Sequence, residues 1–189
     1  EVSAPRLLAE MLKQTLYMQA LLDDLLTQAG ARLATLKINP GWVDLAGLYD
    51  ALVETFHHPA SQQGVTLVAD DGGLKVWADP LRLRQILVNL MRNALTHAGE
   101  LSCLELLAEA RGQAVLVIVQ DNGRGLDKIT PAEAFTAGAR GGQGTRGWGL
   151  GLTVVRLLAE AHGGDCRLEF SPEGGLRVEV KLPLPAGLQ

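Results

Sequence analysis

The stretch ADPLRLRQILVNLMRNALTHA, residues 78–98, decides the fold more than any other part of the sequence. Asp79 followed by Pro80 is a strong helix start, because Asp suits the N-cap and Pro suits the first helical position. The apolar residues that follow recur at helical spacing. They predict one buried helix face, made of Leu83, Ile86, Leu87, Leu90, Met91 and Ala94.

Two asparagines stand at the edge of this apolar face. Asn89 and Asn93 are four residues apart, so both amides project from one side of the helix. Buried amides need partners. The pair is therefore either two satisfied structural amides or two neutral oxygens that face a hard cation such as Mg²⁺, itself carried by phosphates.

Short apolar segments on both sides of this helix predict strands. VTLVAD and LKVWAD precede it, LSCLELLAEA and QAVLVIVQD follow as a pair that turns at Arg111-Gly112, and DCRLEFS and LRVEVKLP close the chain. Another helix begins at Gly149 and ends at His162-Gly163-Gly164, where glycine can adopt the left-handed C-cap conformation. The order β-β-α-β-β-α-β-β predicts a two-layer α/β sandwich, a mixed sheet covered on one face by helices.

The first part of the chain predicts a different kind of structure. Residues 3 to about 36 carry leucine and methionine at three- and four-residue steps, which indicates a long amphipathic helix whose wide apolar stripe is typical of a four-helix bundle. We expect a partner helix from another protomer; folding back onto its own domain is the alternative. NPGW (39–42) ends this helix, Asp44 caps a shorter one that runs to about His57, and PASQQG (59–64) forms a turn.

Composition excludes several functional classes. A net charge of −4 argues against general nucleic-acid binding, which favours a basic face. The longest purely apolar run, AVLVIV, is too short to span a membrane. The two cysteines are far apart and suit a reducing compartment. The chain begins with Glu rather than Met, so we expect a piece of a larger protein.

Two glycine-rich stretches can carry chemistry. In VQDNGRGL (119–126), Asp121 ends an apolar strand, and a carboxylate beside glycines suits accepting a hydrogen bond from an exocyclic amine, although Asp-Asn-Gly is also an ordinary turn. In GWGLGL (147–152), backbone N–H groups open a helix and favour an anion. GQGTRG (142–147) imitates a dinucleotide fingerprint, but no strand precedes it. Between these stretches, Thr130 and Glu133 form a capping box that predicts one helical turn.

The order of these motifs resembles the ATP-binding domain of sensor histidine kinases, a fold shared with the gyrase, Hsp90 and MutL ATPases. ADPLRLRQILVNLMRNAL is similar to the N box, DNGRGL to the G1 box, EAF to the F box and GWGLGL to the G2 box. The resemblance covers nearly the whole chain and implies a Bergerat-type fold. It implies two domains: residues 1–38 as the second helix of a dimerisation and phosphotransfer hairpin whose first helix is absent, and residues 39–189 as the ATP-binding catalytic domain.

The resemblance also implies roles for individual residues. Asp121 accepts the adenine amino group, and Asn93, with Asn89, holds Mg²⁺ at the triphosphate, which makes both asparagines the expected catalytic and metal-binding residues. An amide cannot take a proton at neutral pH, so Asn89, where the ATPase relatives have Glu, favours transfer to a protein nucleophile over hydrolysis. The segment 127–146 is the expected lid. The expected nucleotide-binding residues are Asn89, Asn93, His97, Asp121, Gly123, Gly125, Leu126, Phe135, Arg140, Arg146, Gly147, Gly149, Leu150, Gly151 and Leu152.

Three positions depart from the family pattern. Thr96 stands where a Lys or Arg is frequent, so that a phosphate contact is either weakened or passes to His97 or to an arginine of the lid. Trp148 replaces the usual small residue of the G2 box and either packs against the lid or crowds the phosphates. Leu176 occupies a position where many relatives carry Thr.

The implied function is that of the catalytic fragment of a two-component sensor histidine kinase, with ATP and Mg²⁺ as cofactors. The γ-phosphoryl group would pass to a His on the missing upstream helix and then to an Asp of a response-regulator receiver domain, because none of the four histidines of this chain has a phosphoacceptor context: His57, His58, His97 and His162. We also expect a homodimer through the leading helix, no nucleic-acid or membrane contact by this fragment, and a cytoplasmic location, with a membrane anchor allowed elsewhere in the full-length protein. The alternatives are a catalytically impaired nucleotide-sensing or interaction module of the same fold and an anti-sigma-type serine kinase, although the latter lacks a leading bundle helix.

Overall fold

The computed structural model describes residues 37–126, 130–131, 133–135 and 151–185. The chain divides into two compact units, Glu1–Thr35 and Leu36–Gln189, and all described residues belong to the second. The predicted leading helix therefore lies outside the described residues. None of the helices in the described part of the chain is long and apolar enough to cross a membrane.

The first described helix, α1, spans Leu45–Gln62 and is capped by Asp44, as predicted, with the carboxylate 3.2 Å from the backbone nitrogen of Ala46. The predicted end near His57 is wrong, and so is the predicted turn over residues 59–62, because the helix continues through Pro59 to Gln62. Proline deprives the carbonyl of Thr55 of its helical donor, but Thr55 is exposed, so water can bond that carbonyl. Burial of Ala60 holds the last turn in place.

The two remaining helices follow the sequence closely. Helix α2 spans Pro80–His97, and the Asp79 carboxylate accepts from the backbone nitrogens of Leu81 and Arg82 at 3.0 and 3.1 Å. All six predicted apolar residues of its face are buried, and so is Asn89. Helix α3 spans Gly151–Ala161, and its C-terminal cap is confirmed by the positive φ of Gly163 and by a 3.0 Å bond from the Gly164 nitrogen to the Ala159 carbonyl. The predicted start at Gly149 lies outside the described residues.

The main sheet has five strands: β2 (Thr66–Asp70), β4 (Cys103–Ala110), β5 (Ala114–Asp121), β6 (Asp165–Phe170) and β7 (Leu176–Pro183). They lie side by side in the order β2-β4-β5-β7-β6. Strands β2 and β4 run parallel, and the other neighbours are antiparallel. The predicted strand order along the chain and the α/β sandwich are both confirmed.

A second, two-stranded sheet was missed in part. Strand β1, Gly41–Asp44, pairs antiparallel with β3, Lys75–Ala78. The pairing brings the rings of Trp42 and Trp77 into an edge-to-face contact, with their centroids 5.6 Å apart. Only β3 was predicted. Four residues directly after a proline are too short to show a strand period, and the partner strand lies more than thirty residues further on.

Strand β5 places the core and the site. All eight of its residues are buried, and alternate residues Val115, Val117 and Val119 belong to the core beneath the helices. Asp121 continues the same alternation, so the carboxylate at the end of the strand faces the helix layer. On the opposite face Arg177 bonds Gln120, Glu109 and Glu179 at 2.9–3.0 Å.

Candidate functional site

Asp121 is a buried carboxylate whose two oxygens have different surroundings. Oδ1 accepts from the backbone nitrogens of Gly123 at 2.9 Å and Leu176 at 3.3 Å. No donor from the described residues reaches Oδ2. Burial raises the pKa of this carboxyl, while the two N–H groups act in the opposite direction. The site therefore offers one fixed oxygen and one oxygen free to accept a hydrogen bond from a ligand.

The glycines around Asp121 are required by close approach. A Cβ on Gly123 would overlap the carbonyl oxygen of Ala98 at the end of α2, and a Cβ on Gly175 would overlap Asp121 itself. Gly125 has a φ of 73°, which only glycine adopts readily. Gly175 was missed from the sequence, although the Gly174-Gly175 pair before the last strand marked a tight turn beside some other group.

Asn93 meets the beginning of α3. A Cβ on Gly151, the first residue of α3, would lie 2.9 Å from both Nδ2 and Oδ1 of Asn93. The first backbone N–H groups of a helix have no intrahelical acceptor and carry a partial positive charge. The structure thus brings an amide side chain of α2 against the end of α3 that favours an anion.

Asn89 is 3% exposed and only half satisfied. Its Oδ1 accepts from Nη2 of Arg92 at 3.1 Å. Its Nδ2 is the one buried side-chain N or O atom of the described residues without a hydrogen-bond partner. Such an orphaned donor is costly in a folded protein. It marks the edge of α2 as a place where a polar ligand atom would be stabilised.

His97 ends α2, close in sequence to both asparagines. His97 is exposed, but desolvation of its ring by the surrounding protein lowers the pKa of the imidazole, and the positive charge of Arg92 lowers it further. The ring therefore stays neutral to lower pH than a free histidine. It can act as a hydrogen-bonding group at neutral pH, but it adds little positive charge.

Phe135 lies in a short 3-10 turn, Glu133–Phe135, that is attached to α3. The predicted capping box is confirmed, since the Glu133 carboxylate accepts from the Thr130 nitrogen at 2.8 Å and the Thr130 hydroxyl accepts from the Glu133 nitrogen at 3.3 Å. The carbonyl of buried Phe135 accepts from the Thr153 hydroxyl at 3.1 Å, and the Arg156 guanidinium lies 5.7 Å from its ring centre. The turn is therefore fixed to the first turns of α3.

Some of the predicted nucleotide-binding residues belong to the described part of the chain, and others do not. Half-buried Leu126 and Leu152 pack against the core beside the residues described above. Five other predicted residues lie outside the described residues: Arg140, Arg146, Gly147, Gly149 and Leu150. Trp148, which departs from the family pattern, also lies outside them. The part of the site that can be placed is therefore the Asp121 pocket, the asparagine face of α2 and the start of α3.

The residues fit a metal ion that arrives with phosphates better than a protein-only metal site. The described residues contain no cluster of three or more His, Cys, Asp or Glu side chains that could hold a metal. Mg²⁺ usually keeps waters and substrate phosphates among its ligands and takes few from the protein. The Asn93 amide suits that need. The oxygen of Asn89 would have to turn away from Arg92 to do the same.

Comparison with known proteins gives a consistent picture. Residues 78–186 match the family described as histidine kinase-, DNA gyrase B-, and HSP90-like ATPase. A probable sensor histidine kinase HK of Mycobacterium tuberculosis is 35% identical over 94% of this chain and 46% of its own length. The sensor protein TorS of Escherichia coli is 38% identical over 63% of this chain and 13% of its own length.

Among solved structures, full-length ShkA in complex with AMPPNP is 25% identical to this chain, with a TM-score of 0.74. The match covers 100% of this chain and 41% of the ShkA chain. The chain thus spans less than half the length of each of these three proteins.

Proposed function

The chain belongs to the family of histidine kinase-, DNA gyrase B- and HSP90-like ATPases, and we propose that it is the ATP-binding catalytic part of a two-component sensor histidine kinase. The relatives named above are sensor kinases, which supports ATP binding by a domain of this kind. The observation that carries the proposal is that α2 contacts both of the other elements: Gly123 meets Ala98 at the end of α2, and Gly151 at the start of α3 meets Asn93. The free oxygen of Asp121, the amide of Asn93 and the start of α3 would bind adenine, a phosphate-bound cation and the phosphates, respectively.

Asp121 would recognise the base. Its Oδ2 is free of donors among the described residues and can accept from the exocyclic amine of adenine, while the two backbone N–H groups on Oδ1 hold the carboxylate still. Gly123 and Gly125 keep side chains out of the space beside it. Leu126 and Phe135 would add apolar contacts around the base and its sugar.

The phosphates would lie at the start of α3. Backbone amides from Gly149, Leu150, Gly151 and Leu152 would face them, as the first turn of a helix favours an anion. Gly147, Arg140 and Arg146 would approach from the preceding segment, and His97 from the end of α2. Of this set, Gly151, Leu152 and His97 belong to the part of the chain that the structure describes.

Asn93, with Asn89, would hold Mg²⁺. The ion would neutralise charge on the phosphates when bound. Asn93 would supply its side-chain oxygen. Asn89 could turn its amide to ligate the ion, or it could keep its bond to Arg92 and donate its unpartnered Nδ2 to a phosphate oxygen or a water molecule.

The proposed reaction is phosphoryl transfer to a histidine rather than hydrolysis. The position that would activate water carries Asn89, and an amide cannot accept a proton at neutral pH. The γ-phosphoryl group would pass from ATP to a histidine nitrogen, with ADP as the leaving group, and then to an aspartate of a response-regulator receiver domain. The protein's part in this is to position the two reactants and neutralise charge.

The remaining features of the proposal concern the rest of the protein. Residues 1–38 would be the second helix of a dimerisation and phosphotransfer hairpin, residues 39–189 the catalytic domain, and the acceptor histidine would lie on the preceding helix. The full-length protein would form a homodimer through these helices and act on the cytoplasmic side of the cell. The apolar stripe in the sequence of residues 3–36 supports this arrangement.

The test is to extend the chain upstream to include the expected acceptor helix and incubate it with ATP labelled in the γ-phosphate. We expect acid-labile, alkali-stable label on the protein, and its loss in Asp121→Ala and Asn93→Ala. A longer chain that binds ATP normally but never acquires label would contradict the kinase proposal. It would favour the alternative of a nucleotide-sensing or interaction module.

A further inference from the structure

His162 follows α3 directly and bonds the backbone at the start of α2. Its Nε2 lies 3.0 Å from the backbone nitrogen of Asp79, and its Nδ1 lies 2.7 Å from the carbonyl oxygen of Leu158. A backbone N–H can only donate, so Nε2 is the acceptor and Nδ1 carries the ring proton. The half-buried imidazole is therefore a neutral bridge, in one tautomer, between the end of one helix and the start of another.

Asp79 joins this bridge to two further elements. Its Oδ1 caps α2, and its Oδ2 accepts from the backbone nitrogen of Asn39 at 2.8 Å. The segment that leads into the domain, the first turn of α2 and the end of α3 thus meet at one residue. Any movement of α3 along α2 would have to break the bond between His162 and Asp79.

The other ends of the same two helices form the candidate site. From Pro80 to Asn93 the rise along α2 is about 20 Å, and from Gly151 to His162 the rise along α3 is about 17 Å, at 1.5 Å per residue. The helices are therefore joined at both ends. The bond from Asp79 to His162 fixes one end, and the packing of Gly151 against Asn93 forms the other.

We propose that His162 is a positioning residue for nucleotide binding, which fixes α3 against α2 and thereby holds Gly151 at its place beside Asn93. This inference rests on the proposed function, in which that junction faces the phosphates. His162 itself acts only through the two helices. Its influence on affinity should match the net contribution of one hydrogen bond, typically about fivefold in an equilibrium constant.

Two conservative variants separate the two bonds of the ring. In His162→Gln, the side-chain oxygen stands as many bonds from Cα as Nε2 does, so it can accept from Asp79 but cannot reproduce Nδ1. In His162→Asn, the amide nitrogen stands where Nδ1 does and can donate to Leu158, but nothing reaches Asp79. Each variant is made in the 189-residue chain, and two quantities are measured: the affinity for ATP with Mg²⁺, and the side-chain amide resonances of Asn93 without nucleotide.

We expect His162→Asn to weaken ATP binding roughly fivefold and to shift the Asn93 resonances, and His162→Gln to leave both near the parent values. Any other pattern overturns the inference, including unchanged Asn93 resonances in His162→Asn or equal weakening in both variants. Loss of the fold in either variant also overturns it, because the bond would then support the fold itself. If the parent chain binds no ATP, the proposed function fails, but the Asn93 resonances still decide whether His162 positions the junction.

Discussion

Replacing Gly151 by Ala separates the stability of the domain from its ability to bind nucleotide. The backbone does not need glycine there, because the φ of Gly151 lies outside the left-handed region. A Cβ would lie 2.9 Å from Nδ2 and Oδ1 of Asn93, about 0.5 Å inside the 3.4 Å at which ordinary contact begins. The Asn93 amide would have to move by that amount. Weakening one contact of the amide with a charged ligand costs about 1.5 kcal/mol, which predicts a loss of roughly tenfold in affinity for Mg·ATP.

Stability should change in the opposite direction. Alanine is favoured over glycine within a helix by up to about 1 kcal/mol, so Gly151→Ala should unfold at the same or a slightly higher urea concentration than the parent. Gly47→Ala is the matched control, because Gly47 lies near the start of α1 and a Cβ there meets nothing within 4 Å. It should gain stability by a similar amount and leave ATP affinity unchanged.

The assay is calorimetric titration with ATP and Mg²⁺, paired with urea unfolding, for the parent and both variants. Binding of Mg·ATP by Gly151→Ala as tight as that by Gly47→Ala would contradict the expected displacement of Asn93. Loss of binding by Gly151→Ala only through loss of its fold would contradict it equally.

Three further variants test separate contacts. Asp121→Asn should lose ATP binding yet be more stable than the parent at neutral pH. Burial raises the pKa of the parent's carboxyl above 3.8, so its folded state holds the proton more tightly than the unfolded state and loses stability as pH rises through the raised pKa. Urea midpoints of parent and variant that stay equal from pH 4 to 7.5 would contradict this. Tyr49→Phe removes the hydroxyl that donates to the Leu107 carbonyl at 2.9 Å. Because Leu107 also pairs with Ile118 across β4 and β5, its carbonyl keeps a partner, and the change should cost about 0.5–1.5 kcal/mol of unfolding free energy with no change in ATP affinity. An unchanged urea midpoint would count against that bond. Thr153→Val removes the buried hydrogen bond to the Phe135 carbonyl and should cost about 1–3 kcal/mol of unfolding free energy. Thr153→Ser keeps the hydroxyl and should lose less stability. The opposite order of urea midpoints would show that the methyl group, not the hydroxyl, holds the turn.

Features that depend on neighbours in sequence were predictable. Asp79-Pro80 fixes the start of α2 through its own side chain and ring, and the apolar spacing then identifies its buried face. The Thr130–Glu133 capping box and the cap at Gly163 are likewise local, and both are confirmed. Local chemistry also placed Asp121 at the end of a buried strand, where the structure has it.

Features that depend on distant partners were not predictable. Strand β1 forms because it pairs with β3. Helix α1 continues beyond Pro59 because Ala60 is buried in the core. The need for Gly175 arises from Asp121, more than fifty residues earlier. The hydrogen bond from Arg92 to the oxygen of Asn89 depends on side-chain conformations, which the spacing of residues in the sequence does not determine.

The proposed site is tested most directly by a calorimetric titration of ATP into the unmodified 189-residue chain, with and without Mg²⁺, repeated for Asp121→Ala and Asn93→Ala. We expect Mg²⁺-dependent ATP binding by the unmodified chain and its loss in both variants. The site would be contradicted if both variants bound ATP as the parent does. Absence of any nucleotide binding by the folded parent would contradict the proposed function itself.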